Sequence, residues 1–388
     1  MTYDPSDQPG ASASGGWGAG GASTGAGVPP VIRPTGTPAS GGRRRRGWVW
    51  LIVLAFVGFG LWATWTLVSG LLHLESVSMA AARGGGPRLE EVLLEDHDAA
   101  WKVAVVDLEG IISSDFMDPM GYDLVDLIRA QLKRAGEDHR VRAVILRINS
   151  PGGEVIASDE LYRAIRRFQE EHDKPVVAVM ENVAASGGYY VAVGSRWIVA
   201  NEMTLTGSIG VILSTWNYRG LMDKVGIRPY TYKSGRFKDM LSGARDPSEI
   251  PPEEREMLQA LIDEVFDRFK EVVAEGRNAA AEANDPEGRR LVENWEDYAD
   301  GRVFSGAEAY RLGFVDELGN FETARERALA LAGIEDANVV RYQRRLTFAD
   351  LFPLFGRARV EPVRVDLGVE LPKLRTGHLY FLPPALVP

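Results

Sequence analysis

Residues 181–190 read ENVAASGGYY, which places Ser186 among small residues at the end of an apolar, strand-like run. A helical stretch is predicted to begin directly after this serine. In α/β folds the carboxyl ends of parallel strands form the ligand-binding edge of the sheet. This stretch therefore predicts an α/β fold and makes Ser186 the candidate nucleophile.

The sequence from Trp101 onward continues this alternating organisation. Residues 148–153, INSPGG, repeat the strand followed by a glycine turn. Short β-branched runs alternate with amphipathic stretches, an order typical of parallel strands joined by helical crossovers. Strands are predicted at residues 103–108, 144–149, 176–180, 197–200, 209–214 and 230–233. Helices are predicted at residues 122–134, 156–171, 188–194, 218–225 and 251–276, and residues 305–308 have the form of a capping box.

Composition excludes several classes of function. The chain has 388 residues with 45% hydrophobic content, enough for a large core. It has no cysteine, which excludes disulfides, thiolate nucleophiles and cysteine-ligated metal ions. Its net charge of -10 argues against a nucleic-acid partner. No metal site and no cofactor is predicted.

The N-terminal part of the chain predicts a membrane anchor. Residues 1–42 are rich in Gly, Ala, Ser and Pro and are predicted to form a disordered cytoplasmic tail. Residues 43–46 are four arginines, and the uncharged residues 48–72 that follow exceed the roughly 20 residues needed to span a bilayer. Residues 43–72 are therefore a basic flank and one transmembrane helix, with the arginine end in the cytoplasm. Residues 73–100 are then a stalk.

A cleaved signal peptide is the alternative to this anchor, because residues 78–82 are small enough for a cleavage site. Such a peptide would have a shorter apolar region that begins nearer to Met1. The anchor is the better interpretation, and it predicts a single-pass protein of the cell membrane with an extracytoplasmic catalytic domain.

A serine hydroxyl needs a base that takes its proton during attack, and this base is usually histidine. The five histidines lie outside the glycine-rich turns, at His73, His97, His139, His172 and His378. Lysine can act instead when it is neutral, a form that burial away from counter-charges favours. Residues 233–239, KSGRFKD, supply Lys238, whose neighbours Phe237 and Met240 are apolar. Lys238 is therefore the candidate base.

The oxyanion formed during acyl transfer needs backbone N–H donors that are already in place. Glycine turns let the backbone approach a substrate closely. The N–H groups of Gly152 or Gly153, and of Gly187 just after the serine, are therefore candidate donors. Apolar residues beside the two turns are predicted either to line an apolar substrate pocket or to pack against the sheet: Val155, Ile156, Tyr189 and Tyr190.

Six segments occur in one order and closely resemble the signal peptide peptidase A family. They are residues 149–153 (NSPGG), 185–190 (ASGGYY), 206–211 (TGSIGV), 233–239 (KSGRFKD), 301–306 (GRVFSG) and 312–319 (LGFVDELG). The resemblance covers residues 101–335, which are thus predicted to be a Ser/Lys peptidase domain. Residues 336–388 are a C-terminal extension without a matching motif.

This resemblance implies a Clp protease/crotonase-like fold, a repeated ββα spiral with a parallel sheet, and a serine peptidase with a Ser/Lys dyad. It assigns Ser186 as the nucleophile, Lys238 as the general base and Ser208 as the serine that orients the lysine. It also assigns Gly153 and Gly187 as the oxyanion donors. Members of this short type form rings or domes whose active sites join neighbouring subunits, so a homo-oligomer is expected.

The implied substrates are remnant signal peptides left in the membrane after secretion, and other membrane-associated or extracytoplasmic peptides. A crotonase-like acyl-CoA enzyme is one alternative, because paired oxyanion turns also suit thioester chemistry. A non-catalytic membrane scaffold that kept the fold is the other. Residues 379–388, LYFLPPALVP, are apolar for a chain end, which predicts that they dock in a groove such as a neighbour's substrate cleft.

Overall fold

The computed structural model of this protein describes residues 87–114 and 122–344, the backbone of Tyr380 and Phe381, and seven helical residues between 54 and 65. The chain divides into two units, residues 1–76 and residues 77–388. The predicted tail, the basic flank and most of the predicted transmembrane segment lie outside the described residues. Within the described part of the chain, no helix is both long and apolar enough to cross a membrane.

The second unit is built on one sheet with helices packed against it. Its described strands are β1 (Leu89–Glu95), β2 (Lys102–Ile112), β3 (Val141–Glu154), β4 (Val176–Ala185), β5 (Trp197–Ala200), β6 (Leu205–Gly207), β7 (Val303–Ser305), β8 (Glu317–Leu318), β9 (Asn338–Arg344) and β10 (Tyr380–Phe381). Its described helices are α1 (Leu124–Glu137), α2 (Val155–His172), α3 (Gly187–Ala192), α4 (Arg219–Lys224), α5 (Pro252–Ala283), α6 (Gly306–Arg311) and α7 (Phe321–Ala332). Short 3₁₀ helices lie at Pro247–Glu249 and Trp295–Tyr298.

The strand order in the sheet is β1-β9-β2-β3-β4-β5-β8. Neighbours from β9 to β8 are parallel, and β1 runs antiparallel beside β9. The last residues of β4 pair in parallel with β6, which pairs antiparallel with β7. β10 pairs antiparallel with the end of β3. This mixed, largely parallel sheet with helical crossovers confirms the predicted α/β class.

The central strands are apolar on both faces because helices cover both sides of the sheet. On β2, Val106 and Leu108 belong to the core cluster that includes α1, α2 and α3. The alternate residues Val103 and Val105 belong to a second cluster that is completed by α7. A sheet held on both faces keeps the carboxyl ends of β3 and β4 in place, and the two glycine turns lie at these ends.

Four of the six predicted strands are confirmed, because β2, β3, β4 and β5 contain the predicted residues. The strand predicted at residues 209–214 is wrong, since Gly207 and Ser208 have positive φ values of 77° and 51° and end the extended chain there. The strand predicted at residues 230–233 is also wrong. Tyr230 and Tyr232 lie outside any strand and are exposed, so the apolar pattern there belongs to the surface of the chain.

The five predicted helices are confirmed, although α5 runs to Ala283 instead of ending at residue 276. The Ser305 side chain accepts a hydrogen bond from Glu308 N and caps α6, as its sequence predicts. Two predicted boundaries differ from the structure. β1 lies within the predicted stalk, and β9, which separates β1 from β2, lies within the predicted C-terminal extension. Both strands find partners far away in the sequence, which a local pattern does not reveal.

A buried ion pair fastens α5 to the residue before β8. The fully buried Arg277 donates to Asp316 through both terminal nitrogens, at 2.8 and 2.5 Å, and to Gly313 O at 3.0 Å. Asp316 also accepts a hydrogen bond from Ile198 N of β5 at 2.8 Å. Removing one partner of such a pair leaves the other charge uncompensated in the core.

Arg277→Met is therefore expected to lower the free energy of unfolding by about 3–5 kcal/mol. Urea denaturation of wild type and variant measures the difference. Lys133→Met is the matched control, because Lys133 and Glu137 form an exposed pair with N and O 3.9 Å apart. Exposed ion pairs between helical residues four positions apart contribute about 0.3–0.5 kcal/mol to the free energy of unfolding. Equal losses in the two variants would contradict the role assigned to the buried pair.

Candidate active site

Ser186 lies between the end of β4 and the start of α3, in a backbone conformation that is rare for a non-glycine residue. Its φ and ψ are 53° and -116°. The residue is fully buried, and its Oγ has no hydrogen-bond partner among the described residues. Its N–H donates to Gly207 O at 2.7 Å, which holds the turn. Strain of this kind costs about 1–3 kcal/mol and clusters at functional sites, so the turn is a candidate active site.

The two glycine turns predicted from sequence pack directly against each other, although the first is not a turn in the structure, because Gly152 and Gly153 belong to the extended end of β3. A methyl group at Gly187 would lie 2.5 Å from Ser158 Oγ and 3.1 Å from Gly153 N. A methyl group at Gly153 would collide with the carbonyl oxygen of Ile112. These contacts leave no room for a side chain, so both positions require glycine. The structure thus places Gly153 and Gly187 side by side, next to Ser186.

Gly187→Ala is expected to lower stability by about 1–3 kcal/mol, because the new methyl group overpacks against Ser158. Adding Ser158→Ala removes that hydroxyl and is expected to recover part of the stability. The peptide hydrolysis predicted from sequence should stay about 10²-fold below wild type in the double variant, because the methyl group still lies against the N–H of Gly153, a predicted oxyanion donor. Thermal melting and steady-state kinetics measure the two effects separately. Full activity in the double variant would show that the site does not depend on this pair of amides.

Ser208 follows β6 just as Ser186 follows β4. The two strands are parallel, and Ala185 pairs with Gly207. Ser208 is buried, has a positive φ of 51°, and donates its N–H to Arg302 O at 2.7 Å. The two serines therefore leave the sheet at the same edge, and the segment that leads into β7 holds Ser208 there.

Lys238 lies in the loop between α4 and α5. Its side chain is exposed, and its amine forms no hydrogen bond or ion pair with any residue that the structure describes. Lys233 differs, because its Nζ pairs with Asp239 Oδ1 at 2.7 Å and lowers the pKa of that carboxyl. A lysine held by a counter-charge is a poor base, which favours Lys238 over Lys233. Within one chain, however, no hydrogen bond joins Lys238 to Ser186.

The residues between Ile212 and Lys238 expose much apolar surface. Large apolar side chains are exposed here at Trp216, Tyr218, Leu221, Val225, Ile227, Tyr230 and Tyr232. Tyr232 is 95% exposed. Exposed apolar surface concentrated in one segment is typical of a contact with another protein chain. We refer to residues 216–232 as the apolar loop.

The predicted pocket-lining residues fall into two groups. Ile156, at the start of α2, is 74% exposed, and Val155 is partly buried against the core. Tyr189 and Tyr190 are buried, and the Tyr189 hydroxyl donates to Phe314 O at 2.9 Å. The two tyrosines therefore pack within the core, while Ile156 remains on the surface close to the glycine turn.

The end of β3 is paired on both sides. Gly153 pairs with Ile112 of β2 on one edge and with Phe381 of β10 on the other. β4 pairs with β3 only as far as Ser150, which lies opposite Ala184. The edge that β4 leaves, next to the serine turn, therefore accepts an extended antiparallel segment, as the sheet edges of peptide-binding proteins do.

Sequence patterns missed Glu154 and Ser158, which lie against the glycine turns. Glu154 accepts hydrogen bonds from Ser113 and Ser114, and Ser158 Oγ donates to Glu154 O at 2.8 Å. The spacing between Glu154, the N-cap of α2, and Ser158 in its first turn offers a weak local signal for the second contact. The serines that bind the carboxylate lie about one strand and one helix upstream, where no local pattern could connect them.

Comparison with known proteins identifies the family. Residues 168–335 match the family model of peptidase family S49. A protein of Enterococcus faecium named "Putative signal peptide peptidase SppA" is 36% identical over 263 residues, which cover 67% of this chain and 72% of that protein. A "Putative protease" of Synechocystis sp. is 44% identical over 203 residues, 52% of this chain and 68% of that protein. The chloroplastic "Serine protease SPPA" of Arabidopsis thaliana is 32% identical over 234 residues, 60% of this chain and 32% of that protein. The chain therefore belongs to peptidase family S49, the SppA family of serine peptidases.

Proposed function

We propose that this chain is a membrane-anchored endopeptidase in which Ser186 and Lys238 form the catalytic dyad. Its substrates are remnant signal peptides and other peptides at the extracytoplasmic face of the cell membrane. The observation that carries the proposal is the buried Ser186 hydroxyl, which lacks a described partner and lies beside Gly153 and Gly187. Membership of peptidase family S49 supports peptide hydrolysis over acyl-CoA chemistry or a scaffold role.

In the proposed reaction, Ser186 Oγ attacks the scissile carbonyl carbon while Lys238 Nζ takes the hydroxyl proton. The N–H groups of Gly153 and Gly187 bind the oxyanion. The tetrahedral adduct then collapses to the acyl-enzyme, and the leaving amine takes the proton from Lys238. Water, deprotonated by Lys238, hydrolyses the acyl-enzyme and restores the Ser186 hydroxyl. Ser208 orients the lysine amine by a hydrogen bond.

The dyad is proposed to form between neighbouring copies in a ring- or dome-shaped homo-oligomer. The exposed amine of Lys238, the Ser186 hydroxyl without a described partner, and the exposed apolar loop all support this arrangement. Packing of the apolar loop against a second copy would shield Lys238, which follows that loop, from water. Shielding from water and from counter-charges is the condition under which a lysine acts as a base.

The membrane anchor is proposed for residues 48–72, with the arginines at 43–46 on the cytoplasmic side. The proposal is based on the length and lack of charge of this segment. The residues described within it are helical, and Thr64 Oγ1 donates to Gly60 O at 2.8 Å, a bond between successive helical turns. This topology brings the catalytic domain close to peptides that remain at the membrane surface.

An active-serine probe tests the proposed function directly. The detergent-purified full-length protein is treated with a fluorophosphonate, digested, and mapped by mass spectrometry. Attachment at Ser186, together with loss of peptide hydrolysis, is expected. A modified serine elsewhere in the chain, or hydrolysis that survives complete labelling, would overturn the assignment.

Deletion of residues 380–388 is expected to lower KM for peptide substrates several-fold. β10 pairs with Glu154 and Gly153, the edge proposed to bind substrate, and a segment tethered to the same chain competes at high effective concentration. Deletion of residues 383–388, which keeps β10, is the matched control. Unchanged KM, kcat and oligomer size after the longer deletion would show that the tail does not occupy the substrate edge.

A further inference from the structure

The Glu154 side chain is a buried carboxylate at the end of β3. It follows Gly153, the proposed oxyanion donor, at the point where β3 pairs with β2. It is the N-cap residue of α2, yet its side chain makes no capping hydrogen bond to that helix. Its Oε1 instead accepts a hydrogen bond from Ser113 Oγ at 2.8 Å. Its Oε2 accepts hydrogen bonds from Ser114 N at 3.1 Å and Ser114 Oγ at 2.9 Å. The residue is 6% exposed, so these bonds replace water around the carboxylate.

The carboxylate is attached one residue away from the proposed oxyanion donor. Ile112, which precedes Ser113, pairs with Gly153, which precedes Glu154. The backbones touch at this point, since a methyl group at Gly153 would collide with Ile112 O. Any shift of the end of β2 relative to β3 therefore moves the peptide group of Gly153, because packed interiors transmit displacement.

The backbone of Glu154 is also connected to Gly187, the second proposed oxyanion donor, through Ser158. Its carbonyl oxygen accepts a hydrogen bond from Ser158 Oγ at 2.8 Å. The same hydroxyl lies 2.5 Å from the place where a methyl group on Gly187 would be. One residue is thus connected through its side chain to the chain beyond β2, and through its carbonyl to the residue packed beneath Gly187.

Amide placement in an oxyanion site has a large effect on rate. Donors must lie about 2.7–3.1 Å from the oxyanion, and a displacement of about 1 Å can cost on the order of 10²-fold in rate. A carboxylate suits the position because the Ser114 N–H cannot rotate away from it. An amide at residue 154 can keep its oxygen on Ser114 only by turning its NH₂ group toward Ser113, and it loses the charge that strengthens all three hydrogen bonds.

We propose that Glu154 is a positioning residue for oxyanion binding, because its carboxylate holds Ser113 and Ser114 against β3 and so fixes the N–H of Gly153 relative to Gly187. The proposal rests on the function proposed for the two glycines. The Glu154 side chain touches neither substrate nor nucleophile in this role and acts through the backbone of its neighbours.

Glu154→Gln in the full-length, detergent-purified protein tests the proposal. kcat is expected to fall by about 10–100-fold, with KM changed by less than about 2-fold, because the lost interaction belongs to the transition state. The affinity for a peptide aldehyde, which forms an oxyanion on the serine, is expected to fall by the same factor. Binding of an uncleaved peptide to the Ser186→Ala protein should be the same with and without Glu154→Gln.

Asp138→Asn is the matched control, at the opposite end of the same two strands. Asp138 accepts hydrogen bonds from Lys102 Nζ at 3.0 Å and from Arg140 N at 2.8 Å. This variant is expected to lower the melting temperature while leaving kcat and aldehyde affinity at wild-type values. Ser114→Ala and Ser114→Thr form a second, milder pair. The alanine variant removes one hydroxyl donor and lowers kcat, and the threonine variant, which keeps the hydroxyl, restores it.

These measurements distinguish failure of the positioning role from failure of the proposed function. Wild-type kcat and aldehyde affinity in Glu154→Gln, or losses no larger than those of Asp138→Asn, overturn the positioning role and leave the proposed function intact. If Glu154→Gln does not fold, the Ser114 pair decides, and equal kcat in its alanine and threonine variants overturns the role. If wild type neither hydrolyses peptides nor labels at Ser186, the proposed function fails and this proposal fails with it.

Discussion

Replacing Ser186 with alanine is expected to reduce kcat for peptide hydrolysis by on the order of 10⁴-fold or more, because it removes the nucleophile of the proposed mechanism. The fold and the oligomer should be preserved, since the Ser186 Oγ makes no hydrogen bond to a described residue that the alanine would remove. Steady-state kinetics and size-exclusion chromatography measure the two properties on the same preparation.

Ser195→Ala is the control for this change. Ser195 is also buried, and its Oγ also lacks a hydrogen-bond partner among the described residues. It follows α3, whereas Ser186 precedes it. The control variant is expected to keep wild-type kcat. A similar loss in both variants, or hydrolysis that persists in Ser186→Ala, would remove Ser186 from the role of nucleophile.

Lys238→Ala is expected to reduce kcat by a similar factor, because the Ser186 hydroxyl then has no group to accept its proton. The exposed position of Lys238 in one chain makes this outcome informative, since an ordinary surface lysine can be removed without effect. Lys133→Ala, which removes an exposed lysine on α1, is the control and should retain activity. Equal activity in the two lysine variants would contradict the dyad.

Mixing the two inactive variants distinguishes a dyad within one chain from a dyad between copies. When Ser186→Ala and Lys238→Ala subunits assemble together in equal amounts, a dyad between neighbours restores about one site in four in a ring with one Ser/Lys contact per interface. A dyad within one chain restores none. The recovered rate in co-expressed, tag-selected oligomers measures this fraction, and its absence would refute the contact between copies.

The position of Ser186 between a strand and a helix could be predicted from sequence because the local signals around it agree. An apolar strand ends at Ala185, and glycines follow at the positions where the structure leaves no space for a side chain. The strands β2 to β5 were predictable for the same reason, since each is an apolar run buried on both faces. Where local composition and packing require the same residues, sequence alone is sufficient.

The burial of Lys238 and the pairing of β9 could not be predicted from local sequence patterns. The segment KSGRFKD identifies a lysine, but its burial depends on what covers the apolar loop, and one chain leaves it exposed. β9 joins the sheet by pairing Asn338 with Lys102, and these two residues lie far apart in the sequence. Glu154 likewise has partners that lie 40 and 41 residues away. Contacts over such distances are set by the assembled fold and leave no periodic trace in the sequence.

The proposed substrate edge at the end of β3, which β10 occupies within this chain, has a consequence for which polypeptides can be cut. A chain that joins this edge must offer its own main-chain amide and carbonyl groups to Gly153 and Glu154, as β10 does. Folded proteins already use those groups in their own sheets and helices, so the groups become available for pairing only after local unfolding. The requirement for strand pairing can therefore by itself distinguish folded secreted proteins from unfolded peptide fragments, without a separate recognition domain.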